Sequence, residues 1–342
     1  MTRIQVEPIS RFSAAGARQR GFSILEFMMA IAVLSIIMGA LMTFISAMQR
    51  RYTSEAKVAS VNQVGKTGMD LMAMDVGQAG FPPGVNTTTT QAITANNTAQ
   101  TVTLASTVGV YVGRTLLVDN GMSNQESITV NACISTVTGT GCTSGSSNSV
   151  TGVFKKGHVN GVPVRASSMP YPQGILYSTT GGVTSNCNSL KIMGDLRGDG
   201  SLRYVEYRYT PPPDANTPGV LVRSDTSAFA TAESAAVAVV DNLWDSTLFN
   251  YKVFANSCTG VPACVSCTTE GSSFTYVTQV GVTMTMRTAA AVERGAGGTR
   301  TIIFRQQYFT PRNVIYAINL ANDGLQTVLP LAPGTVTTYL GL

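Results

Sequence analysis

The chain has 342 residues, enough for two domains, and only 12% of them are charged, while Thr, Ser, Gly and Asn are abundant. The formal charge of +5 is concentrated at one end: Met1 to Gly21 carries Arg3, Arg11, Arg18 and Arg20 against Glu7, and removing those four of 23 basic residues and one of 18 acidic residues leaves 19 against 17. That balance argues against a nucleic-acid surface, and the composition is that of a β-rich extracytoplasmic protein, poor in the Lys and Glu that fill soluble helices.

The first predicted element is apolar. Phe22 to Met48 is a run of 27 residues with a single charge, Glu26. At roughly 1.5 Å per residue it makes about 40 Å of helix, longer than the ~30 Å hydrocarbon core of a bilayer. It exceeds the apolar core of a secretory signal, and no A-x-A cleavage site follows it. The arginines ahead of it hold the N-terminus in the cytoplasm by the positive-inside tendency. A carboxylate five residues into such a span is costly and calls for a partner. On these residues alone, a plain signal anchor carrying an incidental glutamate is the alternative.

A basic leader, Gly21, then Phe22, Ser23, Ile24, Leu25 and Glu26 opening a long apolar helix resembles the type IV prepilin (class III) signal. The resemblance implies that a prepilin peptidase removes residues 1–21, that Phe22 is N-methylated, and that Glu26 pairs with the amine of a neighbouring subunit during assembly. It also implies a single-pass location in the bacterial inner membrane, N-terminus cytoplasmic before cleavage and head in the periplasm, followed by incorporation into a pilus fibre.

Arg50 and Arg51 read as a stop at the membrane face. Beyond them Val58, Val61, Gly65, Gly68, Met72 and Val76 recur in three- and four-residue steps, a stripe to lay against a sheet. Gly77 to Pro83 breaks the helix. The pattern predicts a transmembrane or filament-core half over 22–48 and an amphipathic half over 49–80, and it supports the two halves more firmly than their continuity.

From 81 to 170 the chain is Thr- and Ser-rich, with predicted strands at Thr101 to Leu104, Arg114 to Val118, Ser127 to Ile134 and Val150 to Phe154, an inserted β module. The run Thr87 to Thr90 reads as a flexible surface loop. Sequons at Asn86 and Asn96 carry little weight in a bacterium. After Met169-Pro170-Tyr171 comes a second β-rich part, 171–342. It has predicted strands at Leu190 to Met193, Leu202 to Tyr209, Val220 to Arg223, Thr247 to Ala255, Tyr276 to Thr288 and Arg300 to Phe309. The order of its segments, from Leu221 through Tyr251 to a last strand closing on Pro311, Arg312 and Asn313, resembles the C-terminal half of PilW-type minor pilins and J-type pseudopilins. Together the two resemblances imply an α+β, pilin-like fold: a long N-terminal helix packed on an antiparallel β-sheet head, with the inserted module.

Six cysteines, Cys133, Cys142, Cys187, Cys258, Cys264 and Cys267, suit an oxidising compartment and allow 15 connectivities. Cys133 and Cys142 flank a short turn and are the best single pair. The C-x-x-C at Cys264 and Cys267 admits a zinc or redox reading. Against that reading, His158 is the only histidine and there is no second C-x-x-C.

The sharpest local motif runs from Asp195 through Asp199, Gly200 and Ser201 to Glu206. An EF-hand loop wants oxygen ligands at positions 1, 3, 5 and 12 and glycine at 6. Here 1, 5, 6 and 12 fit, but Arg197 stands at 3 and Arg203 at 9, so a Ca²⁺ site competes with a plain Gly-Asp-Gly turn between strands. No other cofactor is indicated. No catalytic motif occurs; His158, in a Lys-Lys-Gly-His loop, reads as exposed, and Asp241 and Asp245 beside Trp244 read as a solvated face rather than a glycosidase couple. The expectation is therefore a structural subunit and not an enzyme. Its role would be that of a minor pilin whose partners are the prepilin peptidase, other minor and major pilins, the inner-membrane assembly platform and membrane lipid, with no nucleic acid. A type II secretion pseudopilin, and a membrane-anchored periplasmic binding protein or adhesin, are the alternatives.

Overall fold

The computed structural model describes residues 21, 23–167, 173–177, 185–212, 217–230, 232–244, 247–255, 257–269, 275–288 and 300–322. Phe22, the leader before Gly21, Met169-Pro170-Tyr171 and Asp245 lie outside the described residues. The chain divides into two compact units, Met1–Ala56 and Lys57–Leu342.

Helix α1 runs without a break over Ile24–Gln78, 55 residues and about 82 Å at 1.5 Å per residue. Its sequence is rich in Ala and Met and contains no proline, so the backbone ladder is uninterrupted. In the first unit every described residue from Gly21 to Thr53 is exposed, including Ile24, Phe27, Leu34, Ile36 and Phe44. A helix apolar all round and uncovered belongs in lipid or in a bundle.

In the second unit, α1 buries one face: Val61, Gly65, Gly68, Met69, Met72, Asp75 and Val76. Two glycines set how closely it lies. A Cβ on Gly68 would stand 2.2 Å from Val240, and one on Gly65 would stand 2.4 Å from the Phe304 ring. The helix stops where Gly80 takes φ +77°, a conformation glycine adopts without penalty, and Pro82-Pro83 follow.

The strands that follow build three sheets. β1 (Asn86–Thr88), β8 (Pro163–Ala166), β3 (Thr115–Val118) and β4 (Glu126–Thr129) form the first, in that order. β2 (Ala99–Thr103), β7 (Ser149–Val153), β5 (Ala132–Ser135) and β6 (Thr143–Ser144) form the second. The two share one core of Val102, Leu104, Leu116, Val118, Ile128, Cys133, Val150 and Val164, so the insertion is a closed module with its own apolar interior. Two expectations change here. The run Thr87 to Thr90 is not a flexible loop: β1 pairs with β8, Thr89 bridges Leu104, and Thr87 and Thr89 are buried, because alternate residues turn into the module core. The strand predicted over Ser127 to Ile134 is two strands, β4 and β5, one in each sheet.

The main sheet contains β9 (Ser189–Gly194), β10 (Arg203–Thr210), β11 (Gly219–Ser227), β12 (Val237–Leu243), β13 (Phe249–Ala255), β14 (Val265–Thr269), β15 (Tyr276–Arg287) and β16 (Thr301–Phe309). Its pairings are antiparallel except that of β13 with β14. β12 and β13 follow one another along the same edge of β15, with Leu243 opposite Met286 and Phe249 opposite Val282. Val280 to Val282 pair with both β13 and β16, which puts β16 on the other edge of β15. The face under α1 carries Val205, Tyr207, Leu221, Val240, Tyr251, Val280, Val282, Met284 and Met286. This is the α+β fold with a long apolar N-terminal helix and a β-rich head. The last strand closes just before Pro311 to Asn313, as expected, and a helix, α2 (Arg312–Asn322), begins there and packs Val314, Ala317 and Ile318 against Tyr276.

The module is fastened to the head. Arg114, fully buried at the start of β3, donates to the carbonyls of Gly109 and of Pro83 in the segment leaving α1. Ser227 at the end of β11 donates to Gly139 (2.9 Å), and the rings of Tyr111 and Phe229 meet at 5.5 Å.

Candidate functional site

The candidate site is the start of α1. The amide of Phe27 donates to the carbonyl of Ser23 (3.1 Å), so the first helical turn holds Ile24, Leu25 and Glu26. A carboxylate there also faces the positive end of the helix dipole. Along the apolar stretch the hydroxyls fold back on their own backbone. Ser35 donates to Ile31 (2.8 Å) and Thr43 to Ala40 (2.8 Å). The segment therefore presents hydrocarbon to its surroundings, as a backbone in lipid or in a helix bundle must. Glu26 is the exception: it is exposed and has no hydrogen bond or ion pair among the described residues.

Gly21 just before the helix is exposed, and a Cβ built on it meets nothing within 4 Å. Among the described residues nothing demands glycine at this position. A requirement for it would come from whatever binds the segment from outside.

The family model described as "Prokaryotic N-terminal methylation motif" matches residues 16–42, which contain Gly21, Glu26 and most of the apolar run. The chain begins as a type IV pilin-like protein does. The motif implies processing by a prepilin peptidase and assembly with other pilins, and the helix, long and apolar enough to cross a membrane, is consistent with anchoring there before incorporation. No curated protein and no solved structure matches the chain.

The head of this pilin-like chain holds polar features that periodicity did not reveal. Asp75, on the buried face of α1, accepts from the Tyr207 hydroxyl (2.6 Å) and from Arg223 Nε (3.0 Å). Burial and the adjacent Asp75 carboxylate push the Tyr207 hydroxyl well up. Burial alone would lower Arg223, but its bond to Asp75 outweighs this and raises it. The chain of charges continues through Asp225, which accepts from Arg223 (3.4 Å), Arg203 (2.7 Å) and Arg197 (2.8 Å). Burial raises the Asp225 carboxyl, and the hydrogen bonds from Arg203 and Arg197 together with the charges of Arg203 and Arg223 more than reverse that, so it sits below the ordinary range. A carboxylate three residues after Met72 and beside Val76 on an apolar stripe was the available signal that α1 has an ionic partner.

The structure gathers Asp195, Asp199 and Ser201 in one turn but leaves Glu206 apart. The Asp195 carboxylate accepts the amides of Asp199 (3.1 Å) and Gly200 (2.9 Å), and Asp199 accepts that of Ser201 (2.8 Å). Glu206, on β10, pairs with Lys191, four residues short of Asp195 along β9, which is about 13 Å at 3.3 Å per residue. Its carboxylate accepts from Tyr204 (2.8 Å). Arg197 and Arg203, the misfits in the loop pattern, are the partners of Asp225. Among the described residues no three His, Cys, Asp or Glu side chains converge to hold a metal.

His158 is not exposed. It is buried in the module, bridging Ile93 by its backbone, with Nε2 at 2.7 Å from Glu126 and Nδ1 facing Asp119 at 3.6 Å. Glu126 in turn accepts the amides of Lys155 and Lys156. These are bonds that close a loop. The cysteines join as Cys133–Cys142, Cys187–Cys264 and Cys258–Cys267. The C-x-x-C is thereby divided between two disulfides, which leaves it no vicinal pair for metal or redox chemistry. Trp244 lies under the Arg287 guanidinium at 4.2 Å.

Proposed function

We propose that this chain is a minor pilin, matured by cleavage after Gly21 and N-methylation of Phe22, and inserted into a type IV filament through α1. The observation that carries the reading is Glu26: a carboxylate that is exposed and, among the described residues, unpartnered, on the otherwise hydrocarbon-faced first stretch of α1 and directly within the methylation motif. An unpaired carboxylate in an apolar bundle is costly, and the amine of a neighbouring subunit's first residue is a cation that removes the cost. The closed β module supports a rare position over a repeating one, since each copy along a shaft would have to accommodate it.

The test is production of the full chain with a prepilin peptidase in a piliated host, followed by mass spectrometry and assay of sheared filaments. The expected mature terminus is N-methyl-Phe22. Glu26→Ala is expected to be cleaved normally yet to be depleted from filaments by at least about tenfold, as loss of a buried charge partner worth more than 1.4 kcal/mol would do. Retention of the arginine leader would refute the maturation step, and undiminished incorporation of Glu26→Ala would refute the assembly role. Recovery of the chain only in secretion-dependent complexes, never in surface filaments, would make it a pseudopilin of the J type instead.

A further inference from the structure

We propose that the free edge of β16 is a docking surface for an extended, acidic strand of another protein. Among the described residues β16 pairs on one edge only, with β15. Thr288 donates to the carbonyl of Arg300 (3.0 Å), and in an antiparallel ladder bonded and non-bonded pairs alternate. Ile302 and Phe304 therefore bond inward to β15, whereas Thr301 and Ile303 direct amide and carbonyl groups away from the sheet. This unpaired row stands beside exposed apolar surface, with Ile303 65% and Tyr308 51% exposed.

The surroundings of the edge state the chemistry of its partner. Arg300, Arg305 and Arg312 are exposed and make no ion pair among the described residues. Lys252 reaches the Tyr308 ring at 5.2 Å. Among the described residues no carboxylate forms an ion pair with these four cations. A second copy of this chain fits poorly, because a two-fold antiparallel pairing of β16 centred on the strand sets Arg305 against Arg305, and like charges directly opposite repel. An acidic strand turns the same arginine from a guard of the edge into a contact. The edge runs on into an open groove of 530 Å³ lined by Met74, Gln78, Tyr308 and Arg312, which offers an apolar seat with a cationic rim.

The test uses the full chain in a neutral detergent and a fluorescent, end-capped peptide of alternating glutamate and valine, with the lysine–valine peptide as control. Anisotropy is read at low salt and at about 1 M salt, where the screening length falls to about 3 Å. The acidic peptide is expected to bind at least about tenfold more tightly than the basic one, with affinity falling as salt rises. Ile303→Pro removes an outward amide without touching the bonds to β15, and is expected to weaken binding by about tenfold at unchanged melting temperature. Arg305→Glu, which keeps the outward amides, is expected to invert the preference toward the lysine peptide, and it decides the matter if the proline variant does not fold. Equal binding of the two peptides, no binding at millimolar concentration, or indifference to both variants would overturn the proposal. So would a wild-type dimer that Ile303→Pro dissociates.

Discussion

Replacing Asp75 by alanine should loosen α1 from the sheet, and the size of the effect follows from what is left behind. The mutation strands the buried Tyr207 hydroxyl and removes the closer of the two carboxylates of Arg223, whose side chain is 20% exposed. Breaking a buried pair from one side costs about 3–5 kcal/mol, and because Arg223 keeps Asp225 at 3.4 Å the lower end, about 3 kcal/mol, applies. For a head of this size each kcal/mol moves the melting temperature by roughly 2 °C, so a drop of about 6 °C is expected. The assay is thermal unfolding of the full chain in detergent, followed by near-ultraviolet circular dichroism, which reports the tyrosines of the sheet. Removing the cation as well, in Asp75→Ala with Arg223→Met, should recover part of the loss, since an apolar pair does not leave a charge unpaired. A melting temperature within about 1 °C of wild type for Asp75→Ala, or a double variant less stable than the single one, would refute the argument that the ion pair closes this interface.

Two glycines of α1 should respond in opposite ways to alanine. Gly68→Ala pushes a methyl into Val240 and should cost about 1–3 kcal/mol by overpacking, whereas Gly77→Ala meets nothing within 4 Å and should gain up to about 1 kcal/mol of helix propensity; denaturant midpoints distinguish them. The head should also lose stability on acidification because of Asp225. Its folded carboxyl sits below the ordinary range, so its contribution is present above the unfolded value and disappears as pH falls through the lower, folded one. Asp225→Asn should flatten that acid limb in a series of melts from neutrality to about pH 2, and an unchanged slope would count against it.

The strands of the main sheet were legible because each is β-branched and punctuated by Gly, Asn or Asp, and their predicted bounds fall within a few residues of β9, β10, β11, β13, β15 and β16. β12 and β14 escaped notice, the first inside an Ala-rich stretch and the second among threonines and cysteines, where no period-two pattern marks a face. His158 read as exposed because its neighbours Lys155 and Lys156 are polar. Their amides and its ring converge on Glu126, 32 residues away from the histidine, and no local window contains that contact. The Asp195 loop resembled a cation site because its spacing matched at four positions. What spacing cannot show is that Arg197 and Arg203 already have a carboxylate in Asp225, on the strand β11 that pairs with β10.

The start of α1 needed no tertiary structure to be read. Gly21, Glu26 and an apolar run longer than a bilayer is thick are local facts, and membrane or bundle contact is a property of a single helix with hydrocarbon on every side. The pairing of the six cysteines, the ion pair that seats Asp75 beside Arg223 and the pairing of β16 with β15 are contacts between residues far apart in the chain. Their free energy depends on which groups are brought within a few ångströms of each other, and only the folded sheet decides that.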